Sequence, residues 1–207
     1  MFIAGMTGGT GSGKSTAARR FGTHGIAVVD ADREGHALIE RDGPGESAVL
    51  GHFGDAILTD GAIDRGKLGA LVFADPQALA ALNDIMKPLI AGAIGARCAS
   101  FAEAGKTATL VDAALLGDNG ILDPWIGGLI LVLSPVDVRV RRLVETRGLT
   151  ELQARARIAA QVDPEKKRPL ARWIIENDGT LDGLFEQVDR IAGEILLAGQ
   201  NPVPFKA

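Results

Sequence analysis

A single cysteine, Cys98, stands among 207 residues. One thiol excludes an internal disulfide, and a chain without disulfides suits a reducing cytosol. Cys98 lies in an alanine-rich, helix-like stretch and reads as a small core residue. The three histidines, His24, His36 and His52, lack metal-ligand spacing, and no cysteine cluster exists to complete a zinc site. They read as structural or surface residues. Long hydrophobic runs are missing too. The apolar run near the N-terminus, Phe2-Ile3-Ala4-Gly5-Met6, has no basic segment before it, so neither a signal peptide nor a membrane span is expected there. Taken run by run, the rest of the chain shows nothing long enough to cross a bilayer, and a soluble, cytoplasmic protein without a membrane partner is expected. There is no internal repeat and no low-complexity linker. An excess of positive charge is absent as well: the net charge of −4 argues against general nucleic-acid binding. At 46% hydrophobic and 23% charged residues, the composition is that of an ordinary globular chain, long enough to bury a good core in one compact domain.

What is present begins at Gly8. Gly8-Gly9-Thr10-Gly11-Ser12-Gly13-Lys14-Ser15-Thr16 fits G-x-x-x-x-G-K-[ST], between a strand-like run and a helix-like segment, as that pattern requires. Glycines let the backbone curl so that several N–H groups point at one anion, and the helix opening at Gly13 to Ser15 adds its positive end. Gly11, Ser12, Gly13, Lys14, Ser15 and Thr16 are therefore the candidate nucleotide-binding residues. Lys14 is placed to reach β- and γ-phosphate oxygens, and the Ser15 hydroxyl to ligate Mg²⁺.

Short apolar runs alternate with longer helical stretches, the pattern of an α/β protein with a mostly parallel sheet. Strands are expected at Phe2–Met6, Ile26–Val29, Thr107–Val111, Leu129–Leu133 and Trp173–Glu176, covered on both faces by helices. Ligands of such sheets bind beyond the carboxyl ends of the strands, so the glycine loop, Asp30, Asp32 and Asp112 are expected along one edge. About seventy residues separate the second and third strands. Helices are expected there at Arg33–Glu40, Glu46–Phe53, Arg65–Phe73 and Pro76–Glu103, with turns at Gly43-Pro44-Gly45 and Thr59-Asp60-Gly61. This reads as a helical insertion that carries substrate specificity.

Further along, Ser134-Pro135-Val136-Asp137 predicts a helix start with Ser134 as cap and Pro135 at the first helical position. Thr150-Glu151-Leu152-Gln153 has capping-box spacing. Leu181, Leu184, Val188, Ile191 and Ile195 recur at helical spacing and predict a helix covering one face of the sheet. Residues 201–207 look frayed.

Charge is unevenly spread. From Arg139 to Arg172 stand ten of the 22 basic residues against four acids, so this segment carries +6 and the remainder −10. A basic helical hairpin in an acidic protein that owns a phosphate loop suggests a lid whose arginines close over polyphosphate and exclude water. Phosphoryl transfer also needs a carboxylate to orient or deprotonate the acceptor. Asp32 is the candidate, with an N-cap role as the alternative; Asp30 is a candidate to cap a helix, orient Asp32 or touch a metal-bound water.

With these residues in hand, the chain resembles the dephospho-CoA kinase family along nearly its whole length. The likeness includes Met6 to Thr16, Val29-Asp30-Ala31-Asp32, Phe53-Gly54-Asp55-Ala56-Ile57-Leu58, Asp60-Gly61-Ala62-Ile63-Asp64-Arg65, Leu71-Val72-Phe73, the stretch from Arg155 to Gln161, and Ile175-Glu176-Asn177-Asp178-Gly179. The resemblance implies a three-layer α/β fold of P-loop NTPase type, with a five-stranded mostly parallel sheet, a helical substrate-binding insertion and a helical lid. The corresponding divisions are an ATP-binding core at 1–32, 106–135 and 171–200, a substrate subdomain at 33–105 and a lid at 136–170. It implies transfer of the γ-phosphoryl group of ATP, with Mg²⁺, to the ribose 3′-hydroxyl of dephospho-CoA by a monomer or weak homo-oligomer. By position, Asp32 matches the base, Lys14 the phosphate clamp and Arg142 the lid arginine. Thr7, Arg65, Lys87 and Leu115, with Asp32, are the candidate acceptor contacts. The alternatives are another nucleoside or nucleotide kinase on the same scaffold, and a nucleotide-binding regulatory module without transfer activity. The chain departs from the family pattern at Lys87 (usually His), Ala114 and Asp118 (Pro and Glu), Thr146 (Arg) and Arg172 (Asp).

Overall fold

The computed structural model describes residues 1–200; the stretch 201–207, where fraying is expected, lies outside the described residues. In chain order the elements are β1 (Phe2–Gly8), α1 (Lys14–Thr23), β2 (Ala27–Asp30), α2 (Ala31–Leu38), α3 (Glu46–Phe53), β3 (Leu58–Thr59), β4 (Ala62–Ile63), α4 (Arg65–Ala74), α5 (Pro76–Glu103), β5 (Ala108–Asp112), β6 (Gly128–Leu133), α6 (Val136–Arg147), α7 (Glu151–Ala159), β7 (Ala171–Glu176) and α8 (Leu181–Gln200). Short 3₁₀ segments occupy Asp55–Ile57 and Pro164–Leu170.

Five strands form one parallel sheet in the order β2-β5-β1-β6-β7. β1 lies at its centre, so the loop that leaves its carboxyl end is flanked by strands on both sides. The runs are apolar because they are enclosed: every residue of β5 and of β6 is buried. Along one face, Ala17, Ala18 and Phe21 of α1 and Leu184, Val188, Ile191, Ala192 and Ile195 of α8 pack on Met6, Leu110, Ile130, Val132 and Ile175. Full burial of each large apolar side chain stabilises by about 1.5–3 kcal/mol, which fixes α1, and with it the loop before it, against the sheet. Leu181 departs from the expected apolar stripe. It opens α8 and remains more than half exposed.

The chain divides into two compact units, Met1–Val29 with the chain from Ser100 onward, and Asp30–Ala99. The second unit has its own core of Leu38, Ile39, Val49, Ile57, Leu68, Val72 and Met86. It also holds a β3–β4 hairpin at the Thr59-Asp60-Gly61 turn, which sequence pattern left as a bare turn because each strand is two residues long. Asp64 caps α4 by accepting from the amides of Gly66 and Lys67, and Thr59 donates its hydroxyl to the other carboxylate oxygen.

α5 corrects one expectation. At 28 residues and a mean hydropathy of 1.2 over its most apolar window, it is long and apolar enough to cross a membrane. Asp84 and Lys87-Pro88 break it into short runs when the sequence is read run by run, while its many alanines keep the average high. Within the second unit, Leu79, Leu82, Ile85, Met86, Leu89 and Ile90 of this helix pack on the core, while only 11% of its most apolar window is buried.

Candidate active site

The loop after β1 is held from outside by its carbonyls. Arg139 Nε donates to Thr10 O at 2.8 Å, Asn177 Nδ2 donates to Ser12 O at 2.7 Å, and Arg142 Nη1 approaches the same oxygen at 3.4 Å. Within the loop Ser12 N donates to Gly9 O at 3.0 Å, and the outward-held carbonyls leave a tight backbone turn of the kind that forms an anion nest. Gly13 makes the sharpest bend. Its φ is +92°, and a Cβ there would stand 2.1 Å from Asn177 Nδ2, so both backbone strain and the neighbouring carboxamide demand glycine. At Gly9 the requirement is space alone, since a Cβ would meet the Arg139 guanidinium at 2.4 Å. Gly13 is also the N-cap of α1, and no side chain caps that helix; its first amides stay available to an anion. Within the loop, Ser12 Oγ is buried without a hydrogen-bond partner among the described residues.

Lys14 forms an ion pair with Asp112 at the end of β5, so the loop lysine and a carboxylate meet at the strand ends. Asn177, at the end of β7 and 5% exposed, joins three parts of the site. Its amide donates to Leu133 O, its Nδ2 to the loop, and its Oδ1 accepts from Arg142 Nη2 at 3.1 Å. Arg142 therefore sits at the root of the basic segment, bound to loop main chain and to Asn177. Burial pushes its guanidinium below the ordinary range, and the neighbouring Arg141 adds to this. Arg139, 3% exposed, is lowered chiefly by burial, with Asp163 opposing. Gln161, just past α7, accepts from Thr10 N at 2.7 Å and from Arg139 Nη2 at 3.4 Å. The helical hairpin expected from charge thus touches the loop at three side chains: Arg139, Arg142 and Gln161.

Ser134 is not the cap of α6. Pro135 occupies that position, in extended backbone with φ −54° and ψ 146°, because the residue preceding a helix must still carry strand-like torsions and proline tolerates them. The Ser134 hydroxyl instead accepts from Arg142 Nη1. Thr150 and Gln153 do form a reciprocal capping box.

A cleft of about 180 Å³ opens beside the start of the loop, lined by Gly8 and Gly9 with Ala114, Leu115, Asp118, Gln161 and Lys167 among others. Thr7, expected to touch an acceptor, is fully buried. Its hydroxyl donates to Ala114 O at 2.8 Å and accepts from Lys167 Nζ at 3.0 Å, so it lies beneath the cleft wall. Leu115 is 70% exposed at the cleft. Asp32, Arg65 and Lys87 belong to the second unit. There, Asp30 is the N-cap of α2, accepting from Arg33 N at 3.0 Å, so the capping alternative for Asp32 is replaced. The helix begins two residues earlier than expected, and Asp32 is an exposed first-turn carboxylate. Arg65 is exposed at the start of α4 and Lys87 exposed within α5.

Arg139 and Lys167 were not singled out from sequence, and Asn177 and Gln161 entered only within the stretches that carry the family resemblance. The i,i+3 spacing of Arg139 and Arg142 puts both on one face of α6 and was the available signal for the first. Two departures from the family pattern also gain a structural account. Asp118 pairs with Lys167. Arg172 stacks 4.6 Å from the Trp173 ring and 5.8 Å from that of Phe2, which themselves meet edge to face; it is a packing residue at the start of β7.

A glycine loop closing on a helix N-terminus, with its lysine against a strand-end aspartate and a basic helical pair over it, defines a P-loop kinase. The sequence model of the family described as dephospho-CoA kinase matches residues 2–183. The chain is similar to the dephospho-CoA kinase of Streptomyces avermitilis, 38% identical over 205 residues that cover 98% of each chain. Among solved structures, TT1252 from Thermus thermophilus superposes with a TM-score of 0.79 at 31% identity, covering 94% of this chain and 97% of that one. Dephospho-CoA kinase from Campylobacter jejuni shares the fold, with a TM-score of 0.59 at 22% identity over 93% and 96% of the two chains. The chain belongs to the dephospho-CoA kinase family.

Proposed function

We propose that this protein transfers the γ-phosphoryl group of ATP to the ribose 3′-hydroxyl of dephospho-CoA, giving coenzyme A and ADP. The observation that carries the reading is the intact nucleotide loop, with Lys14 at a strand-end carboxylate and its carbonyls drawn outward by Arg139, Arg142 and Asn177, in a chain of this family. The unpartnered Ser12 hydroxyl fits a loop whose polar groups are completed by a ligand.

Each residue then has a role. The loop amides of Gly11 to Thr16 cradle the phosphates, and Lys14 exchanges Asp112 for oxygens of the β- and γ-phosphates. Asp32 accepts the proton of the 3′-hydroxyl, that oxygen bonds to the γ-phosphorus, and the bond to the β–γ bridging oxygen breaks to release ADP. Arg142 neutralises charge that spreads over the equatorial oxygens in transfer. The exposed cations Arg65 and Lys87 meet anionic groups of the acceptor, and Leu115 covers its apolar part; Thr7 supports this wall from beneath. The Ser15 hydroxyl and the Asp112 carboxylate, a small oxygen donor set, fit a nucleotide-borne Mg²⁺, which would neutralise phosphate charge when bound. The same reading makes this a cytoplasmic enzyme of a small-molecule substrate, a monomer or weak homo-oligomer, with no nucleic-acid or membrane partner.

The test is ADP release with ATP and Mg²⁺ against dephospho-CoA, adenosine and AMP. Turnover confined to dephospho-CoA supports the reading. Turnover with adenosine or AMP instead assigns another acceptor to the scaffold, and nucleotide binding without any turnover makes the chain a regulatory module.

A further inference from the structure

Lys167 lies in the 3₁₀ segment Pro164–Leu170, and its side chain is 4% exposed. An ammonium so buried needs acceptors for all three of its protons, and it has three: Thr7 Oγ1 at 3.0 Å, Ala114 O at 2.9 Å, and the Asp118 carboxylate. No donor remains for a ligand. Lys167 therefore acts through what it holds. The three partners are the last stretch of β1 before the glycine loop and two points of the segment after β5, so one ammonium pins that segment to the root of the loop.

Asp118 is different. Its side chain is 29% exposed, it lines the cleft, and one of its oxygens takes the Lys167 ammonium. The second oxygen has no partner among the described residues. The cleft takes Gly8 and Gly9 from the loop and none of Gly11 to Thr16. It therefore opens at the start of the loop, between the segment after β5 and Ala160, Gln161, Val162, Pro164 and Lys167 after α7, and not at the helix N-terminus, where the donor's α- and β-phosphates belong. Resting on the function proposed above, the geometry points to Asp118 as a specificity-determining residue for the acceptor. Its unpaired oxygen takes a hydrogen bond from a hydroxyl or amino group of the acceptor's nucleoside portion, and Lys167 is the positioning residue that aims it.

The experiment measures KM separately for dephospho-CoA and for ATP, with melting temperature alongside, in Asp118→Asn, Asp118→Ala, Asp118→Glu, Lys167→Met and Lys167→Arg. A hydrogen bond to a charged group in such a cleft sets the expected effect at about tenfold or more. Asp118→Ala and Asp118→Asn are expected to raise KM for dephospho-CoA by that factor and leave KM for ATP within about twofold. Asp118→Glu keeps the charge and the ion pair and is expected to restore most of the affinity. Lys167→Met is expected to reproduce the acceptor-selective defect, and Lys167→Arg to recover part of it. Asp118→Asn is isosteric and partly exposed, so it keeps the question answerable if Lys167→Met does not fold. Wild-type turnover of dephospho-CoA with unchanged acceptor KM in both Asp118→Ala and Asp118→Asn overturns the inference alone, as does an equal rise in KM for ATP. Absence of wild-type turnover with dephospho-CoA overturns the function, and the inference with it.

Discussion

Replacing Asn177 by alanine deletes the donor that holds Ser12 O at 2.7 Å and the acceptor that receives Arg142 at 3.1 Å. Arg142 Nη1 stays 3.4 Å from Ser12 O, so the loss is part of the roughly 1–3 kcal/mol that a buried carbonyl without any partner costs. Whether that cost falls on folding or on binding depends on what the loop can do. In the free variant the Gly11-Ser12-Gly13 stretch can turn Ser12 O towards water and recover much of the loss. Nucleotide binding requires the amides to face inward again, which buries a carbonyl left with the long Arg142 contact alone. The penalty is therefore expected in nucleotide affinity: Kd for ATP rises about 5-fold, with about 150-fold as the ceiling for a carbonyl left with no partner, while the melting temperature of the free protein changes little. Asparagine-to-aspartate goes further at constant volume. It sets a carboxylate oxygen against Ser12 O and adds a negative charge beside the triphosphate, with the Arg142 pair as partial compensation, so Asn177→Asp should bind ATP more weakly than Asn177→Ala. Titration calorimetry with ATP, paired with thermal melts, reads both quantities. Wild-type ATP affinity in Asn177→Asp refutes the reasoning, because it would mean that the outward pull on Ser12 O does not set the nest. A large fall in melting temperature with unchanged Kd would place the cost on folding and refute the relaxation step.

The proposed base makes a sharper split. Asp32→Asn is expected to bind ATP as the wild type does and to lose about 10²- to 10⁴-fold in kcat; single-turnover ADP formation checks it, and a near-wild-type rate would leave Asp32 only its place in the first turn of α2. The core under the loop should answer to truncation: Ile191→Ala, at a fully buried position of α8, is expected to cost about 2–5 kcal/mol, read as a shift in denaturant midpoint. Asp189 supplies a pH test. Hydrogen bonds from Arg20, then from His24, hold its carboxyl well below the ordinary carboxylate range, so its contribution is complete above the unfolded pKa and drains as pH falls towards the folded value. Asp189→Asn is expected to lower the melting temperature at pH 7, with the gap to wild type narrowing below about pH 4.

Local chemistry carried much of the molecule. The G-x-x-x-x-G-K-S spacing, the five apolar runs and the stripe on α8 are all short-range patterns, and each settles into an element within a residue or two of where the pattern puts it. Ends were harder. The sequence offers capping as one role for Asp30 and as the alternative for Asp32, and the structure decides that Asp30 caps while Asp32 stays exposed. Ser134 reads as a cap until Arg142 is seen to use its hydroxyl. Long-range partners were illegible for a plainer reason. Asn177 meets Ser12 across 165 residues and Lys167 meets Thr7 across 160, and periodicity in one chain carries no register between such distant segments. Thr7 shows the consequence. Beside a phosphate loop it reads as a ligand contact, and burial under Ala114 makes it a support.

On the function proposed, a triphosphate held at this loop gives its γ-phosphoryl group to one particular sugar hydroxyl. Incubating the protein with ATP, Mg²⁺ and dephospho-CoA and locating the new phosphate by ³¹P–¹H correlation tests that directly. The account predicts a single phosphomonoester on the ribose 3′ carbon, formed mole for mole with ADP. ADP formed with no phosphate on dephospho-CoA, or a phosphate at any other position, would contradict it.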